Sequence, residues 1–371
     1  VYSLSPIFYN MGIIVGALLL APKYGIIGLA WGVVMGSAAH LLIQIPTLWG
    51  LGFRYQRLFQ WRDKGVISIF KMMSARTFGL AVTQINLMVI TVIASTLTAG
   101  SLTVFNLANN LQTFPVSIFG ISFALAVFPL MAAAPTNEKI IELFSRTFRH
   151  ILFFIIPAMV VIVSLRAQIV RLILGSGKFD WNATTLTMDT LAFFALSLFA
   201  QAALPLLTRS FYAQHDSRTP LYTGLAAEAA NVTLSIYFAR KWGAPGLALG
   251  FSLSSILNFI LLFVFLRRKL GALDEFKIFK AVAKYSAAAI LAALAIQAMK
   301  LLVWPYTDLT RFWGVALQAI SAGGFGTLVY LGTCSLLRSE EFLELWTAAK
   351  TRLLKPWKKF KADDQSEARG I

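Results

Sequence analysis

The sequence predicts an all-α membrane protein with ten transmembrane helices. Hydrophobic residues make up 58% of the 371 residues and charged residues only 13%, and the mean hydropathy is +0.71. Apolar runs of spanning length, about 20 residues for a hydrocarbon core of about 30 Å, recur along the chain. Because these runs are continuous rather than alternating, they favour helices over the strands of a membrane barrel.

Ten apolar runs define the expected spans, and a short amphipathic segment separates the fourth from the fifth. That segment, at 138–149, interleaves charged residues with isoleucine and phenylalanine, which predicts a separate helix on the membrane surface. The spans are expected near residues 4–21, 25–48, 66–99, 102–133, 151–174, 184–208, 219–239, 244–266, 281–303 and 312–336.

The distribution of positive charge predicts the orientation of the chain. Of the 33 Lys and Arg residues, 24 fall in the alternate loops and the tail that would share one side of the membrane. The positive-inside rule makes that side cytoplasmic, so both ends of this chain are expected there. The net charge of +17 therefore indicates topology rather than nucleic-acid binding. The basic, aromatic tail at 338–371 is expected to contact anionic lipids.

One stretch of the chain occurs twice. Residues 24–37 match residues 242–255 at six positions with a constant offset of 218 residues. Such a repeat predicts a transporter of two related halves, although glycine-rich membrane helices also match by chance. On this period, about 150 residues and four helices would precede residue 1 in a protein of about fourteen spans. The expected parts are the last two helices of a first half at 1–50, a complete six-helix half at 51–271, an appended helix pair at 272–337 and the basic tail at 338–371.

Amide side chains in two consecutive spans form the first candidate site. Spacings of three, four or six residues place much of the set in the fourth span on one helix face, which indicates a polar path for sugar, peptide or phosphate groups. Amides that only bridge helices are the alternative. An arginine at the start of the third span is also a candidate, although snorkelling is its simpler explanation. The candidates are Gln84, Asn86, Asn106, Asn109, Asn110, Gln112 and Arg76.

Two carboxylates, Asp189 and Glu228, fall inside spans. A carboxylate in hydrocarbon is costly and commonly functional, so Glu228, with Asn231, is a candidate for ion coupling. Simpler explanations are an interfacial position for Asp189 and a hydrogen-bonded neighbour for Glu228. General acid–base catalysis needs two titratable groups near one atom; no such pair occurs in the spans, so we predict no enzyme. The single cysteine and three scattered histidines predict no metal site, and no cofactor is expected.

Several segments are similar to one known family. Thr83–Leu87 lies in the third span, Phe105–Pro115 in the fourth and Gly177–Phe179 after the fifth. The most complete match is a loop that begins at Arg209 and contains Phe211, Tyr212, Asp216, Thr219 and Pro220. In these segments the chain resembles the lipid II flippases (MurJ/MviN), members of the multidrug/oligosaccharidyl-lipid/polysaccharide exporter superfamily.

The resemblance implies a fourteen-helix fold of two six-helix lobes plus a terminal pair, of which this chain would be a truncated form. It implies a V-shaped cationic cavity and alternating access that carries the peptidoglycan precursor lipid II outward across the bacterial cytoplasmic membrane, supporting cell-wall biogenesis and cell shape. The loop from Arg209 to Pro220 would act as a cytoplasmic hinge or latch. The groove beside the appended helices would take the polyprenyl tail. One departure is Asn109–Asn110, where the family usually has an Asp-Arg pair.

The expected partner is thus a polyprenyl-diphosphate-linked glycopeptide, carried by a monomer. Three alternatives remain open at this point. They are an exporter of another polyprenyl-linked glycan or of cationic drugs, a membrane transferase acting on polyprenyl phosphate, and an inactive truncated protein. A transferase would need a paired acidic motif in a cytoplasmic loop, and the loop acids of this sequence lack metal-binding spacing.

Overall fold

The computed structural model describes residues 5–50, 52, 67, 70, 84, 87–175, 180–309 and 311–354. Every regular element among these residues is a helix, which confirms the predicted all-α class. Two of the candidate path residues, Arg76 and Asn86, lie outside the described residues, as does the segment Gly177–Phe179.

The helices follow one another with short connections. Residues 87–95 are helical, and π-helical turns at Gly16–Leu20 and Val116–Ile121 join consecutive helices into longer rods. The other helices are α1 Ser5–Val15, α2 Ala21–Tyr24, α3 Ile26–Leu42, α4 Ile45–Gly50, α5 Ser101–Pro115, α6 Ser122–Ala132, α7 Asn137–Leu174, α8 Trp181–Ala195, α9 Leu198–Tyr212, α10 Arg218–Trp242, α11 Ala244–Leu270, α12 Glu275–Val303, α13 Phe312–Leu336 and α14 Glu340–Leu354.

Seven of the described helical rods are long and apolar enough to cross a membrane, and α8 with α9 supplies an eighth as a pair bent by 47°. Helix α10 has 25 residues but is less apolar and does not meet the same hydropathy criterion. The third expected span, at 66–99, is only partly described. The count of ten spans therefore stays a prediction.

The expectation of a separate surface helix at 138–149 is wrong. These residues form the first turns of α7, a helix of 38 residues whose one kink, at Leu165, lies well beyond them. The apolar side chains of the segment are buried in the bundle, where Phe144 and Phe148 pack against Phe263 and Phe259 of α11 at ring-centroid distances of 6.4 and 6.1 Å. An amphipathic pattern fits a helix on lipid and a helix on protein equally well, so the sequence alone did not separate the two.

The structure divides into two compact units, residues 1–75 and 76–371. In the first, α1 and α3 pack through glycine. A Cβ added to Gly16 would collide with the backbone of Gly32, and one added to Gly36 with the carbonyl oxygen of Tyr9. Such close backbone approach is the usual way in which membrane helices associate, since lipid provides no hydrophobic force between them.

The repeated stretch has the same local geometry in both units. Gly25 and Gly243 adopt nearly identical positive-φ conformations, with φ of 58° and 62° and ψ of −135° in each case. Three residues later, Gly28 lies against the backbone of Leu20, and Gly246 against that of Phe238. The offset of 218 residues thus relates the glycines and also the positions that they contact.

In the second unit, aromatic side chains tie the helices together. Phe194 of α8 contacts Phe105 of α5 and Phe251 of α11 at centroid distances of 5.2 and 5.4 Å. On α7, Phe153 packs against Tyr285 of α12, and its carbonyl oxygen accepts a 2.8 Å hydrogen bond from the hydroxyl of Tyr330 on α13. The pair α12–α13 is therefore packed directly on the preceding helices.

The loop before α10 is an ion-paired helix cap. Asp216 accepts hydrogen bonds from the backbone nitrogen and the hydroxyl of Thr219, at 3.0 and 2.9 Å. It also forms a 2.9 Å salt bridge with Lys269 at the end of α11. The Lys269 ammonium, followed by the Thr219 backbone, lowers the pKa of Asp216 to about 2. This cap joins the start of α10 to the end of α11.

The C-terminal helix α14 docks on α7 through its acidic first turns. Glu344 lies 2.9 Å from Arg146 and 3.2 Å from His150. Arg149 pairs with both Glu340 and Glu341, of which Glu341 is only 3% exposed. The tail that composition describes as basic thus begins with an acidic contact to protein.

We expect Gly120→Val to destabilise the protein. An added Cβ at Gly120 would lie 2.6 Å from the carbonyl oxygen of Ala202 on α9, and overpacking of this kind typically costs about 1–3 kcal/mol. Thermal unfolding in detergent should show a fall in Tm of several degrees. Gly332→Val is the matched control, because no atom lies within 4 Å of a Cβ there. Equal Tm values for the two variants would contradict the close contact.

The Asp216 cap predicts a pH-dependent loss of stability. Because the folded pKa is about 2 against an ordinary value of 3.8, the stabilisation is complete above pH 3.8 and is lost as the pH falls through 2. Asp216→Asn should cost on the order of 2 kcal/mol at pH 7. The difference in unfolding free energy between Asp216→Asn and the wild type, measured by denaturant unfolding, should fall to near zero at pH 2.

Asp180→Asn serves as control for the pH dependence. Asp180 also caps a helix, through a 2.7 Å bond from the Ala183 backbone nitrogen, but no salt bridge to it is seen in the described part of the chain. If the Asp216→Asn gap were the same at pH 2 and pH 7, the salt bridge would not be the cause.

Candidate functional site

A polar cavity of about 240 Å³ lies in the second unit, between α9, α10 and α11. Its volume is below the range of about 300–1,000 Å³ that is usual for pockets of drug-sized ligands. It is therefore suited to an ion, water or one small group rather than to a complete sugar-peptide headgroup. The polar residues that line it are Gln201, Glu228, Asn231, Ser254, Ser255 and Asn258.

The cavity lies beside a break in the membrane-spanning pair α8–α9. At Ser197 the backbone leaves helical geometry, with φ −106° and ψ 4°, and the two helices meet at 47°. Backbone carbonyl groups that lose their helical partners at this break accept hydrogen bonds from side chains, because unpaired polar groups are costly in the hydrocarbon core. The Ser197 hydroxyl lies 2.9 Å from the Ser252 hydroxyl, and Ser252 donates to the carbonyl oxygen of Phe193 at 2.8 Å. The break is therefore a stable feature held by α11.

A chain of amides connects this break to the predicted path. The side-chain nitrogen of Gln201 lies 2.8 Å from both the Ser197 hydroxyl and the side-chain oxygen of Gln112. Gln112 in turn donates to the side-chain oxygen of Asn109 at 2.9 Å. Buried amides must be paired in this way, because an unpaired amide in an apolar interior costs several kcal/mol. We call Asn109, Gln112, Gln201, Ser197 and Ser252 the amide relay.

The predicted path residues do not all share one environment. Gln112 is 1% exposed, Asn109 is half-buried, and Asn106 and Asn110 are exposed. Gln84, the described candidate from the third span, is also exposed. None of these residues lines the 240 Å³ cavity, although Gln112 reaches it through Gln201. Their role as a path stays a prediction.

The predicted coupling residues do share one environment. Glu228 and Asn231 both line the cavity, and their side chains are within hydrogen-bonding reach of each other. Ser235 donates a 3.2 Å bond to the Asn231 side-chain oxygen. Across the cavity, the side-chain oxygen of Asn258 is buried and has no partner among the described residues. Asp189, the other intramembrane acid, is exposed on α8 and does not line the cavity.

The oxygen-rich lining is chemically suited to a hard cation. Carboxylate, amide and hydroxyl oxygens are the ligands that such ions prefer. Among the described residues, no group of three or more His, Cys, Asp or Glu side chains could hold a metal ion. One carboxylate among neutral oxygens would instead give a weak, exchangeable site.

Sequence inspection missed Gln201, Ser197, Ser252 and Asn258. A signal was available for two of them, since Gln201 and Asn258 are single amides within otherwise apolar runs, and such residues commonly mark helix contacts or functional sites. Ser197 and Ser252 carry no comparable signal, because serine is frequent in membrane helices.

The motif loop lies apart from the cavity. Phe211 is buried at the end of α9 beneath the Lys269 ammonium, 5.7 Å from its ring centroid. Arg209 donates to the carbonyl oxygen of Pro205 at 3.3 Å, and Tyr212 is exposed. Thr219 and Pro220 form the first turn of α10. The loop thus connects helix ends, and its hinge role stays a prediction.

An apolar groove of about 630 Å³ lies between α7 and α12, with α9 and α11 at its floor. Phe148, Leu152 and Ile156 line one wall, and Val282 and Ala289 line the other. Ser286 is the one polar residue among those that line it. This surface suits a long hydrocarbon chain.

Comparison with known proteins gives a consistent result. The family model of the lipid II flippase MurJ matches residues 1–315. The probable lipid II flippase MurJ of Haemophilus influenzae is 30% identical over 355 residues, covering 90% of this chain and 68% of that protein. The protein of the same description from Vibrio cholerae is 28% identical over 349 residues, covering 91% and 64%. That of Thermotoga maritima is 29% identical over 280 residues, covering 75% and 55%.

The fold is shared with a solved structure described as lipid II flippase MurJ in an inward closed conformation. The TM-score is 0.74 at 23% identity, and the match covers 91% of this chain and 68% of that one. The chain spans about two thirds or less of the length of these relatives. Since the family model covers well over half of the sequence, the resemblance noted from the motifs is confirmed, and the chain belongs to the lipid II flippase MurJ family of membrane transporters.

Proposed function

We propose that this protein carries lipid II across the bacterial cytoplasmic membrane by alternating access. The observation that supports this most directly is the amide relay, a continuous set of hydrogen-bonding side chains inside an apolar helix bundle. Polar groups within a membrane are costly and are kept where a polar substrate or ion passes. Family membership supplies the substrate class, because the relatives that cover most of this chain are described as lipid II flippases.

The relay and the exposed amides beside it would receive the headgroup. Asn106 and Asn110 are exposed, and Asn109 connects them to the buried Gln112. With Asn109–Asn110 in place of the family's Asp-Arg pair, this wall offers neutral hydrogen bonds. Sugars and peptides are recognised well by such groups, whereas a diphosphate needs cations. We therefore assign sugar and peptide contacts to this wall, and leave Arg76 as a candidate for the phosphate.

The apolar groove between α7 and α12 would hold the polyprenyl tail while the headgroup crosses. Its walls offer almost no hydrogen-bonding groups, so a hydrocarbon chain loses nothing by leaving the bilayer. Separating the two ends of the substrate in this way means that the tail stays in an apolar environment throughout. The headgroup alone then needs a polar route.

The cavity around Glu228 and Asn231 would couple a cation to the conformational change. It joins α9, α10 and α11, and a cation shared between these helices would favour the arrangement that holds them together. Coupling by membrane potential would act through the same bound charge. On this assignment, the coupling of transport to its energy source depends on Glu228.

Orientation follows from charge. The loops with most Lys and Arg, including the Lys269 end of α11 and the start of α12, would face the cytoplasm. On this orientation α14 lies at the cytoplasmic surface, with its distal basic residues near anionic lipid, and the protein acts as a monomer. An exporter of a different polyprenyl-linked glycan would use the same parts, so the headgroup must be tested directly.

We expect Gln201→Leu to lower lipid II transport in proteoliposomes by about tenfold. The change removes the two hydrogen bonds that Gln201 makes to Gln112 and Ser197, which contribute about 1 kcal/mol each, and leaves those partners unpaired. Asn182→Leu is the matched control, because Asn182 is exposed at the start of α8. Normal lipid II transport by Gln201→Leu would refute the assignment of the relay as the polar route. If the wild type transported another polyprenyl-linked glycan in preference to lipid II, the assignment of lipid II as the substrate would be wrong.

We expect Glu228→Gln to abolish the response of transport to an imposed cation gradient or membrane potential. The amide keeps the size and hydrogen bonds of the side chain but removes the charge that would hold a cation. Exchange of lipid II without a gradient should persist at a comparable rate. Asp189→Asn, the other intramembrane acid, should behave as wild type. Gradient-driven transport by Glu228→Gln would exclude Glu228 as the coupling residue.

A further inference from the structure

Both walls of the apolar groove lead to a cation. On α7 the groove-lining residue nearest the C-terminal end is Val160, preceded by Met159, and Arg166 follows Met159 by seven residues. On α12 the last lining residue is Ala293, and Lys300 follows it by seven residues. Seven residues are close to two helical turns. Arg166 and Lys300 therefore continue the faces of the groove, about 10 Å beyond its apolar part.

The two cations meet at a kink. Leu165 has non-helical dihedral angles, φ −111° and ψ 15°, so the carbonyl groups of the preceding turn are released from the helix. The Lys300 ammonium donates to the carbonyl oxygen of Ser164 at 3.1 Å, and Arg166 reaches that of Val163 at 3.4 Å. Both side chains are half-buried and contact the carbonyl groups of adjacent residues, so their like charges lie close together and repel each other.

No carboxylate balances this pair within the described part of the chain. Carbonyl oxygens stabilise the ammonium of Lys300, but the Nε group of Arg166 is buried without a hydrogen-bond partner among the described residues. Support of the kink therefore accounts for the Lys300 ammonium and for one terminal nitrogen of Arg166, but leaves the Arg166 Nε group without a partner. Two like charges held together at low exposure are stabilised when an anion binds between them.

A buried amide bridge fixes the geometry of the pair. Gln168 on α7 donates to the side-chain oxygen of Gln318 on α13 at 2.8 Å, and Gln318 donates to the carbonyl oxygen of Lys300 at 3.3 Å. Gln318 is only 1% exposed. The three helices are thereby linked within one turn of the cations, so the site is formed before an anion arrives.

The distance from the cations to the far end of the groove indicates which lipid fits. From Phe148 to Arg166, α7 rises about 27 Å at about 1.5 Å per residue. One leaflet of a hydrocarbon core of about 30 Å is about 15 Å deep. A phospholipid chain is confined to one leaflet and would leave much of the groove unfilled. A single polyprenyl chain is long enough to follow the whole groove and reach the cations with the phosphate at its end.

We propose that Arg166 and Lys300 bind the diphosphate of a polyprenyl diphosphate lipid whose chain lies in the groove. This inference rests on the proposed function, because it takes the groove as the tail site. It adds a second anion-binding position on the membrane side opposite to α14. There the two positive charges meet the two phosphates of the lipid once its headgroup has crossed.

The test is equilibrium binding of two probes to the purified intact protein in phosphatidylcholine nanodiscs. Undecaprenyl diphosphate carries both chain and charge, and undecaprenol carries the chain alone. The wild type should bind the diphosphate at least tenfold more tightly than the alcohol. Arg166→Gln should remove most of that preference and leave the affinity for undecaprenol unchanged. Lys300→Arg should retain it, because the charge and the carbonyl contact are kept.

Two further variants serve as controls. Arg240→Gln removes one positive charge from the end of α10, where the side chain is exposed, and should bind both probes as the wild type does. Ala293→Phe fills the groove and should lower the affinity of the protein for both probes to the same extent. Lys300 makes the shorter hydrogen bond to the kink, at 3.1 Å against 3.4 Å for Arg166, so replacing Arg166 disturbs the structure less. The Tm of Arg166→Gln should therefore equal that of Arg240→Gln.

Three results would overturn the inference, and they are distinguishable. If Arg166→Gln still preferred the diphosphate, the cation pair would be excluded as the diphosphate site, and the assignment of the groove to the tail would be unaffected. Displacement of undecaprenyl diphosphate by an equal concentration of phosphatidylglycerol would make the site a phospholipid site. Failure of the wild type to bind either probe would exclude the groove itself, and with it the tail assignment of the proposed function.

Discussion

The structure depends on the fact that lipid provides no hydrophobic force between helices. Helices in a bilayer associate only where their backbones approach closely or their side chains hydrogen-bond. This chain uses both means. Glycines bring α1 to α3 and α10 to α11, with the same turn at Gly25 and Gly243. Elsewhere, serine and glutamine bonds link α5, α8, α9 and α11.

The absence of water in the hydrocarbon core also explains why the buried polar groups are hydrogen-bonded. A break in a membrane helix is tolerated only if its backbone groups are bonded, and Ser197 and Ser252 satisfy this at the α8–α9 bend. Gln201 then extends the bonded set to Gln112 and Asn109. One set of contacts therefore stabilises the bend and also forms the polar route proposed for the headgroup. In the proposed function, structure and transport would use the same side chains.

In the proposed function, the apolar groove would hold the tail of the substrate and the polar route would carry its headgroup. The groove between α7 and α12 is lined by apolar side chains except for Ser286, whereas cations lie beyond its end. Because α12 and α13 pack on α7 through Phe153, Tyr285 and Tyr330, the groove and the cation pair lie on helices that are in direct contact. In the proposed function, the tail would stay in an apolar environment while the headgroup crosses beside this surface.

The sequence by itself determined the helical class, most span positions, the internal repeat and the family, because these depend on local composition and spacing. It also singled out Glu228 and Asn231, which line one cavity, because polar residues stand out in apolar runs; their role in coupling stays a prediction. Tertiary structure alone decided that Gln201 meets Gln112, that residues 138–149 belong to α7 rather than to the membrane surface, and that Arg166 and Lys300 contact neighbouring carbonyl groups at one kink. These contacts join residues far apart in the chain, and a one-dimensional pattern records which face of a helix is polar or apolar but not what that face touches.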